Sequence, residues 1–335
     1  MSNKISETRK LVKWGSSKTL IMSLPRNWTK KHNLSEKNEV QVFENSDGSL
    51  LIMPFLMGDS QSKLVTTISA DKYPAISTLS YIIQTAYLDG NDVIRIETKV
   101  PFSQDKYMKI SQLVSNLLGF EILSKTPNVI IIKDIMDLKN QSLNELIKMV
   151  SRNVLELMEN LIYSIENKDN SIIDAIISSK DHIQKYYLRV HRQLRKGLIQ
   201  PSILMKMDIN SQDAVDFAFF IVHINDIAGY LTSMGKAMIK FPISNHVELT
   251  LNVIKETYDL LKAGVVSFLF RKTADAIDVL DKVETIKEHK RDIENKLDSI
   301  TSDAPATSSQ IILDNSEKII EFSRLIALAA LRRAL

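Results

Sequence analysis

Apolar residues near the start of the chain alternate with polar ones. In Thr19–Leu24, Leu20, Met22 and Leu24 fall on one face and Thr19, Ile21 and Ser23 on the other, the two-residue period of a strand. A first strand precedes it across the Gly15-Ser16-Ser17 turn. Pro25 follows, and its fixed φ suits the first position of a helical turn. Val40–Phe43 and Leu50–Met53 then flank Asn45-Ser46-Asp47-Gly48, a strand–turn–strand pattern in which Gly48 can adopt a positive φ. A piece this short buries little apolar surface alone, so the pattern predicts obligate dimerisation.

Residues 54–63, PFLMGDSQSK, read as a linker. Beyond it the periods mix. Leu64–Ser69 and Val93–Thr98 read as strands, Pro74–Leu88 and Gln104–Leu118 as helices, and Glu121–Lys125 with Asn128–Lys133 as a closing hairpin. Gly119 is read as a helix end. From Leu138 onward strand signals vanish and apolar residues recur at helical spacing, as in Leu146, Met149, Val150, Val154, Leu157, Met158, Leu161 and Ile165. Breaks at 166–170, 199–210, 240–245 and 301–309 divide this region into about six helices. It also repeats itself weakly: Lys180–Lys185 and Lys290–Asn295 occupy similar places in two halves, as do Ile224–Ile227 and Ile319–Phe322. The predicted class is α+β. It comprises a β module over residues 1–54, a small α/β domain over 64–135 and an all-α bundle over 138–335, in two three-helix repeats of about 138–240 and 245–335.

Charge sharpens this picture. Lys4, Arg9, Lys10, Lys13, Lys18, Arg26, Lys30 and Lys31 face only Glu7 in the first 31 residues, although the whole chain carries a net charge of just +3. A small β module with concentrated positive charge is an electrostatic footprint for nucleic acid. Arg9, Lys10, Lys13, Lys18 and Arg26 are the candidate DNA contacts, with Ser16 and Ser17 as phosphate donors. Arg9 and Arg26 can in addition read guanine edges. Lys30 and Lys31 equally suit the C-terminus of a short helix. Trp14 is read as packing at the dimer core and Trp28 as anchoring the helix.

Other chemistry is narrowed by composition. The chain has no cysteine, which removes disulfides, thiolate nucleophiles and Cys-ligated metals. Its six histidines form no metalloprotease-type spacing, and no nucleotide loop or nucleophile elbow appears. We therefore expect no enzyme. Neither a transmembrane stretch nor a secretory signal is visible, and a cytoplasmic location is the expectation.

Residues 9–54 resemble the AbrB/SpoVT family of swapped-hairpin DNA-binding modules. That pattern runs strand, small turn, strand ending in Ile-Pro, short helix, Leu-x-x-Gly-Asp-x-Val, hairpin. Gly15-Ser16-Ser17, Leu24-Pro25, Leu34–Val40 and Asn45–Pro54 supply its elements here. Lys37-Asn38 replaces the Gly-Asp pair, with Asn38 the residue that tolerates a left-handed conformation. The resemblance implies an intertwined homodimer presenting basic side chains to double-stranded DNA. The same fold occurs in antitoxins, against which the long bundle argues.

Residues 138–335 resemble PhoU, an accessory regulator of phosphate uptake, most tellingly at Ile183–Leu194, IQKYYLRVHRQL. The order of modules looks like archaeal regulators that fuse the two. The PhoU resemblance implies a divalent or iron centre held by acids four apart on one helix and by acids on a partner helix. The four-apart positions are Lys180 and Gln184 in one half and Lys290 and Glu294 in the other, and a lysine there repels a cation. At most Asp226, Glu294 and Glu321 remain as ligands, so no cofactor is expected.

Together the resemblances imply a transcriptional regulator of phosphate homeostasis, with a phosphate-transporter ATPase subunit or a signalling protein as a further partner. The alternative is an adaptor that restrains a phosphate ABC transporter by protein contact, without DNA binding. The middle segment either binds a small ligand or sets spacing.

Overall fold

The computed structural model describes residues 7–16, 18–44, 48–55, 63–136, 143–207, 209–240, 245–300 and 305–334. Lys4, Ser17, most of the Asn45–Gly48 turn and of the 54–63 linker, and the boundary at Leu138 lie outside the described residues, as do parts of the breaks at 240–245 and 301–309. The chain divides into two compact units, Met1–Ser62 and Lys63–Leu335.

In the first unit, β1 (Val12–Lys13) pairs antiparallel with β2 (Leu20–Ile21), Val12 opposite Ile21 and Lys13 opposite Leu20. Helix α1 (Arg26–Lys31) starts directly after Pro25. β3 (Val40–Glu44) pairs antiparallel with β4 (Leu50–Pro54), as the strand–turn–strand pattern predicts, with Val42 opposite Ile52. The turn before β3 departs from expectation. Lys37, not Asn38, takes the left-handed conformation, with φ 71°. Asn38 instead accepts a 2.6 Å hydrogen bond from the Ser35 amide through Oδ1. A β-carbon at such a φ costs on the order of 1 kcal/mol, and glycine does not incur it. Lys37→Gly is therefore expected to stabilise this unit by roughly 0.5 kcal/mol after the extra chain entropy of glycine is subtracted. Trp14 and Trp28 are the only tryptophans, so urea unfolding followed by tryptophan fluorescence reports on this unit; a lower midpoint for the variant contradicts the argument.

The second unit contains a mixed sheet and a bundle. The sheet comprises β5 (Val65–Ser69), β6 (Val93–Glu97), β7 (Phe120–Lys125) and β8 (Val129–Asp134), in the order β5-β6-β8-β7, with only β5 and β6 parallel. The parallel pair needs a crossover, supplied by α2 (Ile76–Leu88). Helix α3 (Gln104–Ser115) follows β6, capped by the Ser103 hydroxyl, which accepts from the Lys106 amide. Ile94, Ile96, Ile130 and Ile132 are fully buried and share one core with Leu79, Ile83 and Tyr87 of α2 and Ile110 and Val114 of α3. Gly119 does not cap a helix, since α3 ends at Ser115. It shapes the turn into β7 with φ 88°.

The bundle contains α4 (Leu143–Asn167), α5 (Ile173–Ile199), α7 (Ser211–Lys240), α9 (Leu251–Phe270), α10 (Thr273–Ile300) and α11 (Pro305–Ala334), with short helices α6 (Pro201–Lys206) and α8 (Asn245–Leu249) between them. Helices α4, α5 and α7 pack together, as do α9, α10 and α11; α7 meets α11 and α4 meets α9 across the halves. By length and composition α7 could cross a membrane, yet Phe217, Phe220, Ile221, Ile224, Leu231 and Met234 on it lie in the bundle core. One helix break had no sequence signal. Between α9 and α10 there is neither Gly nor Pro, and Arg271 itself takes the left-handed C-cap, with φ 52° and ψ 41°.

Sheet and bundle are joined through α5. Leu188 enters the sheet's core. Arg189 and Arg192, both essentially inaccessible, converge on Asp134 at the end of β8: Arg189 Nη1 donates to Oδ2 at 2.8 Å and Arg192 Nη2 to the same oxygen at 3.0 Å. Arg192 also donates to the Tyr87 carbonyl and lies over the rings of Tyr87 and Phe120. One turn on, the Lys196 ammonium pairs with Asp92, whose other oxygen accepts from the Leu64 amide at 2.9 Å. Burial drives the Tyr87 phenol up to about 12, against the pull of both arginines.

Candidate functional site

The β1–β2 hairpin is closed by the Trp14 amide donating to the Thr19 carbonyl at 2.9 Å, with Gly15 at φ 58° in the turn. This places Lys13 at the end of β1 and Ser16 and Lys18 in the turn itself. All three are exposed, as are Arg9, Lys10 and Arg26. Arg26 is the first residue of α1, whose first turn carries no acid. Arg9 pairs with Glu7, the lone acid of the region. Lys30 and Lys31 fall in the last turn of α1, where the helix dipole favours them. Trp28 packs obliquely on His32, with ring centroids 5.2 Å apart.

The apolar side of this unit is open. No described residue before residue 63 is buried. Leu11, Val12, Trp14, Leu20, Met22, Val42 and Leu50 are all exposed, Trp14 at 65%. Large side chains at strand positions are costly to leave in water at roughly 25 cal/mol per Å². Among the described residues these hairpins have no buried core of their own.

The acids assigned to metal in the bundle are not brought together. On α10, the Lys290 ammonium donates to Glu294 at 2.8 Å and to Glu317 of α11 at 2.6 Å. Burial opposes its charge, but the hydrogen bonds to the two carboxylates outweigh burial and hold its pKa above the ordinary lysine value. Glu321 is bound by Arg324, which keeps its carboxyl below the usual range. Asp226 lies on α7 beside His223, and burial raises its pKa. Lys180 and Gln184 are exposed on α5. Among the described residues no three His, Asp or Glu side chains form a metal-binding group. The residues present do not fit the implied centre, because Glu294 is already paired with the Lys290 ammonium and Glu321 with the Arg324 guanidinium.

The comparisons locate this geometry among known proteins. Residues 11–54 match the family described as "Antidote-toxin recognition MazE, bacterial antitoxin". That segment is a MazE/AbrB-like domain, and it holds both hairpins, α1 and the open apolar surface. No curated protein matches the chain. A solved structure, "Crystal structure of the phosphate transport system regulatory protein PhoU from Streptococcus pneumoniae", aligns with a TM-score of 0.49 and 14% identity, over 56% of this chain and 91% of that one.

The sequence did not single out the basic face that α5 presents to the sheet. Arg189, Arg192 and Lys196 are spaced three and four apart, a signal for one helix face. Their partners Asp92 and Asp134 lie 55 to 104 residues away in the chain and leave no local pattern.

Proposed function

We propose that the protein is a cytoplasmic, dimeric, DNA-binding regulator of phosphate uptake. The MazE/AbrB-like domain of one chain completes its core with that of a second, and Arg9, Lys10, Lys13, Ser16, Ser17, Lys18 and Arg26 of both meet double-stranded DNA. The observation that carries this reading is a unit with no buried described residue and a row of exposed apolar strand positions beside exposed cations. Phosphate enters through the resemblance of Ile183–Leu194 and of the six long helices to PhoU. The bundle would relay phosphate status by protein contact, without a catalytic step.

The test is binding of the intact protein to duplex DNA from phosphate-transport promoters, beside the variant Arg9→Ala/Arg26→Ala. Specific binding that the variant loses by about tenfold or more, the worth of one good contact or better, supports the reading. Affinity no higher than for random duplex would leave the N-terminal domain as a dimerisation device and move the role to an adaptor acting on a transporter.

A further inference from the structure

The unforeseen break between α9 and α10 borders a cleft of about 280 Å³, lined by residues of α4, α7, α9 and α11 and the segments at their ends. Its lining mixes apolar side chains, among them Ile209, Phe217 and Leu269, with the charged residues Lys148, Asp213, Arg271 and Arg333. We propose that this cleft binds a small organic anion, a carboxylate or phosphomonoester on an apolar body.

Three features support the proposal. The first is charge. Asp213 is nearly buried and shared by two guanidinium groups: Arg333 Nε donates to it at 3.0 Å and Arg271 Nη2 at 3.1 Å. Lys148 is paired at 3.3 Å with Glu145. Arg332, next in sequence to Arg333, is matched with Asp216 at 3.4 Å. Among the described residues, the three cations of the cleft, Lys148, Arg271 and Arg333, face two carboxylates, Asp213 and Glu145, an excess of one positive charge.

The second is preorganisation. Arg333 is only 6% exposed, lies 4.2 Å from the Phe217 ring centroid and 4.5 Å from that of Phe268, and donates through Nη1 to the Phe268 carbonyl at 2.7 Å. Its Nε and Nη1 are therefore engaged, while Nη2 makes no bond to a described residue. A guanidinium fixed in this way loses little entropy on meeting an anion.

The third is the backbone of Arg271. A helix that ends in the left-handed conformation normally places glycine there. Arginine at φ 52° carries a strain that glycine avoids, and observed strain of this kind points toward function. What the arginine provides is a half-exposed guanidinium at the cleft, held by Asp213. The volume lies just below the usual range for small-molecule sites, so the ligand is small.

This site is independent of DNA binding, and so is its test. Binding of benzoate, phenyl phosphate, inorganic phosphate and uncharged benzyl alcohol to the intact protein is measured by calorimetry and by ligand-induced shifts in melting temperature. Arg271→Gly is the informative variant, because it removes the guanidinium while relieving the backbone. Its unliganded melting temperature should equal or exceed that of the parent, and its affinity for the aromatic anions should fall about tenfold or more. A preference for benzoate or for phenyl phosphate identifies the anionic group, and weaker binding of inorganic phosphate is expected because it lacks the apolar body. Binding of benzyl alcohol equal to that of the anions, unchanged affinity in Arg271→Gly, or no binding of either aromatic anion at millimolar concentration would each overturn the proposal.

Discussion

Asp134→Ala should lower the stability of the second unit by about 3–5 kcal/mol, the cost of leaving buried charges without their partner. Asp134 Oδ2 accepts from both Arg189 and Arg192, at 2.8 and 3.0 Å. Neither guanidinium can turn to water, since the side chains are 0% and 1% exposed. Arg189 already has two buried nitrogens, Nε and Nη2, with no hydrogen-bond partner among the described residues, so it has little with which to compensate. For a unit of this size the loss corresponds to a melting point lower by on the order of 10 °C. Urea unfolding followed by far-ultraviolet circular dichroism measures it. Asp134→Asn should cost less, because its amide oxygen still accepts a hydrogen bond. Adding Arg192→Met to Asp134→Ala should recover part of the loss, because an apolar side chain tolerates the site better than a stranded charge. A loss under about 1 kcal/mol in Asp134→Ala would show that the ion cluster is not what joins sheet to bundle.

Affinity for DNA should collapse with salt. Five basic candidates per protomer make ten in a dimer: Arg9, Lys10, Lys13, Lys18 and Arg26, each twice. If six to ten of them neutralise phosphates, affinity falls by about 10³–10⁵ between 50 and 200 mM salt, and the logarithmic slope is roughly −0.9 per contact. Because all five are exposed, they are free to release counterions on contact. Fluorescence anisotropy across a salt series gives the slope directly. In Arg9→Ala/Arg26→Ala, four contacts per dimer are removed, and the slope should become shallower by about 3.6. The Glu7 partner of Arg9 lowers that arginine's share, so a reduction nearer half this value would assign most of the effect to Arg26. A slope near zero for the parent would remove phosphate contact, and with it the DNA-binding reading.

Local patterns in the sequence specified local structure well. The apolar runs Val40–Phe43 and Leu50–Met53 on either side of Asn45–Gly48 pointed to the hairpin that pairs β3 with β4. The apolar stripe from Leu146 to Ile165 fixed α4 as a core helix. What escaped was of two kinds. Some turns are made by residues that do not advertise them: Lys37 and Arg271 take left-handed conformations that the sequence rules assign to Gly or Asn. The break at Arg271 was therefore invisible, and with it the cleft. The other kind is long-range. Arg189, Arg192 and Lys196 read as the polar side of an amphipathic helix until the sheet that covers them is in place. In the N-terminal unit, by contrast, the proposed DNA contacts are named from sequence alone because the basic residues cluster there, before and within the first hairpin and at the start of the helix that follows it.

The grip of α5 on β8 also bears on how this chain can be recombined. Residues 64–136 form a sheet with its own isoleucine core and look like an exchangeable module. A graft that ends there would remove Asp92 and Asp134 from the three basic side chains they pair with, leaving Arg189, Arg192 and Lys196 without those partners in the recipient helix. The sheet and the helix that reads it are thus inherited together, and the workable cut for building chimeras is the earlier one, between the MazE/AbrB-like domain and β5, where the two compact units meet in sequence.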